Sequence, residues 1–159
     1  MQRPSTPTGG PGLAPDVRTG CNGTRMATDS KHVLRLQHVS LPFPGTPEAV
    51  AAARRFYGDV LGLEERPHPP SLPGVILWYT AGDQELHLFP EPAGVAANPQ
   101  SRRHPCFEVH DVDRLRADLD AAGATTRDHD GEILGRPRFF AIDPFGNTIE
   151  FVHLEADHW

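Results

Sequence analysis

The sequence contains only two cysteines in 159 residues, Cys21 and Cys106, and it has no long apolar run. Two cysteines do not build a disulfide framework. No stretch reaches the roughly 18 apolar residues that suggest a transmembrane helix, and the N-terminus lacks the apolar segment of a secretory signal. We therefore expect a soluble protein of the reducing cytoplasm that has no membrane partner.

Positive charge is also scarce, because 15 Lys and Arg residues stand against 21 Asp and Glu, a net charge of −6. Nucleic acids and anionic membranes attract basic surfaces, so this balance argues against a nucleic-acid partner and leaves a small molecule as the expected ligand. The length suits one domain with a substantial core. Nine histidines are many for this length, so their positions need an explanation.

Residues 1–33 have little that can be buried, because Pro, Gly, Ser and Thr dominate the first part of this stretch. Such a composition predicts a disordered tail. Met26 lies just before the expected ordered region, which suggests the hypothesis that Met26 rather than Met1 is the natural start. N-terminal sequencing of the native protein would test it.

From residue 34 to 154 the chain repeats one order of predicted elements: strand, helix and three strands. The two modules are residues 34–90 and 104–154, joined by a linker at 91–103. The helices begin at Thr46 and Asp111, which are N-cap residues, and end at Gly62 and Gly123. The predicted class is α+β with two βαβββ modules. The predicted strands are 33–41, 63–66, 75–80, 85–89, 104–110, 124–127, 138–142 and 148–152.

Ligand-type side chains occupy the first and last strands of both modules. His38 and His87 are 49 residues apart in the first module, and His104 and Glu150 are 46 apart in the second. Imidazole and carboxylate groups together suit Fe(II), Mn, Ni, Zn or Co. A lone strand histidine is more often structural, and Glu150 on an alternating strand could simply face solvent.

Three runs, 56–63, 107–113 and 143–151, resemble the vicinal oxygen chelate superfamily. This superfamily includes glyoxalase I, extradiol dioxygenases, fosfomycin-resistance proteins, methylmalonyl-CoA epimerase and bleomycin-resistance proteins. The resemblance implies that the modules form a curved mixed sheet around a cup holding one divalent metal. His38, His104 and Glu150 match the ligand positions shared by several metal-dependent members, and His87 matches the fourth.

The resemblance also implies a substrate that chelates the metal through two neighbouring oxygens. We expect a metal-dependent lyase, isomerase or extradiol-type dioxygenase in which Glu150 is the candidate base. Glyoxalase I usually has a glutamate at the position of His87, which weighs against lactoylglutathione lyase activity. The alternative is a binding protein that sequesters an antibiotic or another small ligand. We expect a homodimer, with the cup closed within one chain or across two.

The pocket candidates are aromatic or cationic residues on two predicted strands. Because side chains alternate along a strand, only one residue of each adjacent aromatic pair can face the cup, and the other should pack on a helix. Arg138 would suit an anionic group of a substrate. The candidates are Trp78, Tyr79, Arg138, Phe139 and Phe140.

Overall fold

The computed structural model describes residues 32–92, 101–128 and 131–155. The chain divides into two units, Met1–Leu34 and Arg35–Trp159, and the described helices and strands belong to the second. The predicted tail up to residue 31 and most of the predicted linker, residues 93–100, lie outside the described ranges. No helix within those ranges has the length and apolar character needed to cross a membrane.

The element order confirms two βαβββ modules. In the first module, the elements are β1 His38–Phe43, α1 Pro47–Ala53, a π-helix Arg54–Val60, β2 Glu64–Arg66, β3 Leu77–Ala81 and β4 Gln84–Pro90. In the second module, they are β5 Cys106–Glu108, α2 Val112–Ala121, β6 Thr125–Arg127, β7 Arg138–Ile142 and β8 Thr148–Val152. The α+β class predicted from the sequence is therefore correct.

Each module forms its own four-stranded mixed sheet, with the orders β1-β4-β3-β2 and β5-β8-β7-β6. In both sheets the first and last strands of the module run parallel, and the other pairs are antiparallel. This order makes the first and last strands of each module neighbours. Residues on β1 and β4, or on β5 and β8, can therefore meet side by side.

The helix ends follow the local signals in the sequence. The Thr46 hydroxyl accepts a hydrogen bond from the Ala49 amide at 3.3 Å. The Asp111 carboxylate accepts one from the Arg114 amide at 2.9 Å. Such side chains satisfy amides that have no partner inside the helix. Gly62 has a φ of 72°, a conformation that glycine adopts without steric cost.

A π-helix replaces the second part of the predicted first helix. The Leu61 amide donates to the Phe56 carbonyl at 3.0 Å, a spacing of five residues instead of four. The adjacent rings of Phe56 and Tyr57 in this segment are both buried, at 5% and 0% exposure. Local propensity does not encode this widening, since it depends on how the two rings pack against the sheets.

The two N-terminal strands of the modules are shorter than their sequences predict. β1 begins at His38 rather than at residue 33, and Leu36 remains 68% exposed. The register explains this boundary, because His38 pairs with Glu85, the second residue of β4, so little of β4 is left to pair with earlier residues. β5 spans only Cys106–Glu108, so His104 lies just before the strand.

One hydrophobic core joins the two modules. It receives alternate residues of both sheets, such as Leu86 and Leu88 from β4 and Ile149 and Phe151 from β8, together with Leu119 from α2. Each buried side chain of this size stabilises the fold by about 1.5–3 kcal/mol. The intervening residues of the same strands point to the opposite face of each sheet.

A buried polar contact also crosses between the modules. The Tyr57 hydroxyl donates to Oδ2 of Asp143, in the turn between β7 and β8, at 2.6 Å. Asn147 in the same turn donates from Nδ2 to the Pro42 carbonyl at the end of β1, at 2.9 Å. The sequence run that ends the chain's second module therefore also fixes how that module sits on the first.

Candidate metal centre

The first pair of predicted ligands lies on neighbouring strands. The rings of His38 on β1 and His87 on β4 stack with centroids 4.5 Å apart and planes 20° apart. The indole of Trp78 lies on His87 as well, with a centroid distance of 3.4 Å. His87 is 3% exposed. Burial is the main reason that its pKa is lowered, which favours the neutral imidazole that metals require.

Glu85 is a third residue beside this pair, and the sequence did not predict its place there. Its Oε2 lies 3.0 Å from Nε2 of His87. Hydrogen bonds, first from Gln37 and then from His87, lower the pKa of Glu85, so it is ionised at neutral pH. The signal was available in the sequence, because residues two apart on a strand share a face.

The second pair of predicted ligands is in direct contact. Nε2 of His104 lies 2.9 Å from Oε2 of Glu150 on β8. The other carboxylate oxygen, Oε1, lies 3.2 Å from Nε of Arg138 on β7, whose side chain is 7% exposed. Arg138 also donates from Nη2 to the Gly131 carbonyl at 3.1 Å. Each oxygen of the Glu150 carboxylate is therefore in contact with a nitrogen, one of His104 and one of Arg138.

Cys106 is opposite Glu150 in the register of β5 and β8. Burial, followed by the nearby Glu150 carboxylate, raises the pKa of the Cys106 thiol to about 12. The thiolate is the form of cysteine that binds metals. In the metal-free protein, Cys106 is therefore a neutral thiol beside the second pair.

The predicted pocket aromatics separate according to strand alternation. Tyr79 and Phe139 belong to the hydrophobic core on the helix side of the sheets. Trp78 lies on His87, and Phe140 meets the His104 ring edge-to-face at 5.1 Å. Of the predicted aromatics, Trp78 and Phe140 therefore lie on the face that carries the ligand-type residues.

A groove of about 1150 Å³ runs beside β1 and β5, and we call it the β1–β5 groove. Residues of both pairs or of their immediate surroundings line it: His38 and Glu85 from the first module, and His104 and Cys106 from the second. One candidate ligand of each pair, His38 and His104, therefore borders the same space, whereas His87 and Glu150 are not among its lining residues.

The donor set has the chemistry of a divalent-metal centre. The 2.9 Å between His104 Nε2 and Glu150 Oε2 is a direct hydrogen-bond distance. Imidazole nitrogens and carboxylate oxygens are both ligand types of divalent metals. His38 would have to turn, because lone pairs lie in the ring planes and its ring is stacked on that of His87. Its position on the exposed part of β1 allows this.

The four predicted ligands do not form one metal-binding centre within a single chain. Across residues 32–92, 101–128 and 131–155, no three His, Cys, Asp or Glu side chains come close enough together to hold a metal ion. The fold supplies two candidate half-sites, His38 with His87 and His104 with Glu150. A complete centre requires these halves to approach each other.

Comparison with known proteins agrees with the sheet topology. The model of the Glyoxalase/Bleomycin resistance protein/Dioxygenase superfamily matches residues 35–151. No curated protein matches the sequence.

Several solved structures are similar to this chain. A glyoxalase family protein from Bacillus anthracis is 33% identical, with a TM-score of 0.68, over 79% of this chain and 99% of that one. Lactoylglutathione lyase from Agrobacterium tumefaciens is 27% identical, with a TM-score of 0.58, over 77% and 96%. The antibiotic binding protein TnmS3 from Streptomyces, 20% identical over 79% and 100% with a TM-score of 0.58, shares the fold.

Proposed function

Because the chain belongs to the Glyoxalase/Bleomycin resistance protein/Dioxygenase superfamily, we propose that it is a divalent-metal-dependent enzyme acting on a small substrate with two neighbouring oxygens. The observation that carries this proposal is the matched placement of the two half-sites. The first lies on the adjacent strands β1 and β4, and the second has Glu150 on β8 and His104 just before the adjacent β5. One residue of each half, His38 and His104, borders the β1–β5 groove.

The proposed ligands are His38, His87, His104 and Glu150. An ion of Fe(II), Mn, Ni, Zn or Co held by them would supply a Lewis acid that stabilises negative charge on substrate oxygens. Glu150 is the proposed catalytic residue, accepting a proton from the substrate. For that role one of its two partners, His104 or Arg138, must release a carboxylate oxygen.

Trp78 and Phe140 are the proposed substrate contacts, since they lie beside His87 and His104. Their flat faces suit a small, partly apolar molecule. Arg138 is held by Glu150 and Gly131, so its proposed contribution is to set the charge beside Glu150. The 27% identity to a lactoylglutathione lyase does not extend the proposal to that activity, because His87 stands where glyoxalase I usually has a glutamate.

Metal analysis of protein purified without chelators tests the proposal. We expect a bound divalent metal and a melting temperature that rises when the preferred ion is added, since a ligand of the folded state stabilises it. His104→Ala should lower the metal content sharply. His110→Ala, an exposed histidine six residues further on, is the matched control and should keep the metal. An unchanged metal content in His104→Ala would contradict the proposed ligand set.

One observation favours a second candidate, a binding protein without turnover. The two Glu150 oxygens already contact Arg138 and His104, and the described ranges bring no three ligands together. The groove would then hold a small organic molecule directly. Protein with no metal, whose melting temperature is unmoved by Fe(II), Mn(II), Ni(II), Zn(II) or Co(II), would support this candidate over the first.

A further inference from the structure

His87 is in contact with two aromatic rings and, through one ring nitrogen, with a carboxylate. His38 stacks on it at a centroid distance of 4.5 Å, Trp78 lies tilted by 33° at 3.4 Å, and Oε2 of Glu85 lies 3.0 Å from its Nε2. Its side chain is only 4% exposed. A ring confined in this way has few orientations, so the partner at Nε2 decides which nitrogen carries the proton.

Glu85 is well placed to accept that proton. Its carboxylate lies on β4 two residues before His87, on the same face of the strand. Its Oε2 lies within hydrogen-bond distance of a ring nitrogen of His87. A carboxylate in that place acts as the acceptor behind a ligating histidine rather than as a ligand itself.

We infer that Glu85 is a positioning residue that fixes His87 in the Nε2–H tautomer, so that Nδ1 is the nitrogen presented to a metal. The inference rests on the proposed function. Carboxylates that accept the second N–H of a ligating histidine orient the ring and raise its basicity, and their loss typically weakens metal binding by 10–100-fold. Glu85 lies outside the three sequence runs that resemble the superfamily, so the resemblance does not predict a role for it.

The tautomer can be measured without a metal. Long-range ¹H–¹⁵N spectra of the ¹⁵N-labelled, metal-free protein distinguish a protonated from an unprotonated ring nitrogen. We expect Nε2 of His87 to be protonated and Nδ1 to be unprotonated. Glu85→Ala should give a mixture of tautomers, whereas Glu85→Gln, whose amide oxygen still accepts the bond, should retain the Nε2–H form. A wild-type Nδ1–H tautomer, or no change in Glu85→Ala, would overturn the inference.

Zn²⁺ titration against a competing chelator supplies the second measurement. Glu85→Ala should weaken Zn²⁺ binding by about tenfold or more, and Glu85→Gln should recover part of the loss. Glu65→Gln is the matched control, because Glu65 is a carboxylate of the same sheet that pairs with Arg54 on the surface. The Zn²⁺ affinity of this variant should equal that of the wild type. A loss in Glu85→Ala as large as in His87→Ala would make Glu85 a ligand and refute the positioning role.

The two measurements separate the failure of this inference from that of the proposed function. Wild-type protein that binds no Zn²⁺ contradicts both the function and the role of Glu85 toward a metal, even with the expected tautomer. Normal Zn²⁺ binding combined with the opposite tautomer contradicts only the role of Glu85.

Discussion

Tyr57→Phe removes one hydroxyl from the buried contact between the two modules. That hydroxyl donates to Oδ2 of Asp143 at 2.6 Å, and both residues are almost fully buried, at 0% and 3% exposure. The variant keeps the ring and its edge-to-face contact with Phe56. Its effect should therefore report the hydrogen bond rather than a cavity.

The expected loss follows from what Asp143 retains. A hydrogen bond to a charged group contributes about 1.5–3 kcal/mol. In the variant, Asp143 still accepts from the amides of Phe145 and Asn147 and from Nδ2 of Asn147, so its charge keeps three donors. We therefore expect about 2 kcal/mol of lost stability, which corresponds to a fall of about 4–8 °C in melting temperature.

Equilibrium unfolding in urea measures this change as a shift in midpoint at constant slope. Tyr79→Phe is the matched control, because Tyr79 is equally buried, lies with its ring 5.7 Å from that of Tyr57, and has a hydroxyl without a hydrogen-bond partner among the described residues. Its substitution should be neutral within about 0.5 kcal/mol, or stabilising. Equal losses in the two variants would refute the assignment of the effect to the Asp143 contact.

Two further predictions concern Asp143 and the assembly of the half-sites. Burial raises the pKa of Asp143, although its hydrogen bonds act in the opposite direction. Protonation of Asp143 therefore stabilises the folded state; this stabilisation is complete below about pH 3.9 and is lost as pH rises through the folded-state pKa. The stability of wild type relative to Asp143→Asn should therefore decrease with rising pH in acid titrations; an increase would contradict it. If half-sites meet across a homodimer, mixing His87→Ala and Glu150→Gln chains should restore about one quarter of the metal sites; complete absence of restored sites would indicate closure within one chain.

Local signals made several elements predictable. Thr46 and Asp111 begin helices because their side chains replace missing intrahelical partners. β7 and β8 have the predicted bounds, 138–142 and 148–152. These features depend on neighbours in sequence, which a single chain reveals without knowledge of its tertiary contacts.

Features that depend on tertiary contacts were not predictable. The π-helix follows from packing two adjacent rings, Phe56 and Tyr57, against the core, and the late start of β1 follows from where β4 begins. The contact of Arg138 with Glu150 depends on the register of β7 and β8, in which Arg138 is opposite Val152. Periodicity places Arg138 on the face of Glu150 only once that register is known.

The alternation of faces separates the residues that stabilise the fold from those proposed for chemistry, but Glu150 belongs partly to both groups. Ile149 and Phe151 on either side of it pack in the core, while its own oxygens meet His104 and Arg138. Glu150→Ala would deprive the guanidinium of Arg138, which is 7% exposed, of this carboxylate. Stability would then fall for a reason unrelated to metal binding. Glu150→Gln keeps an oxygen acceptor toward Arg138 and removes only the charge, so it is the variant that tests the proposed ligand and base.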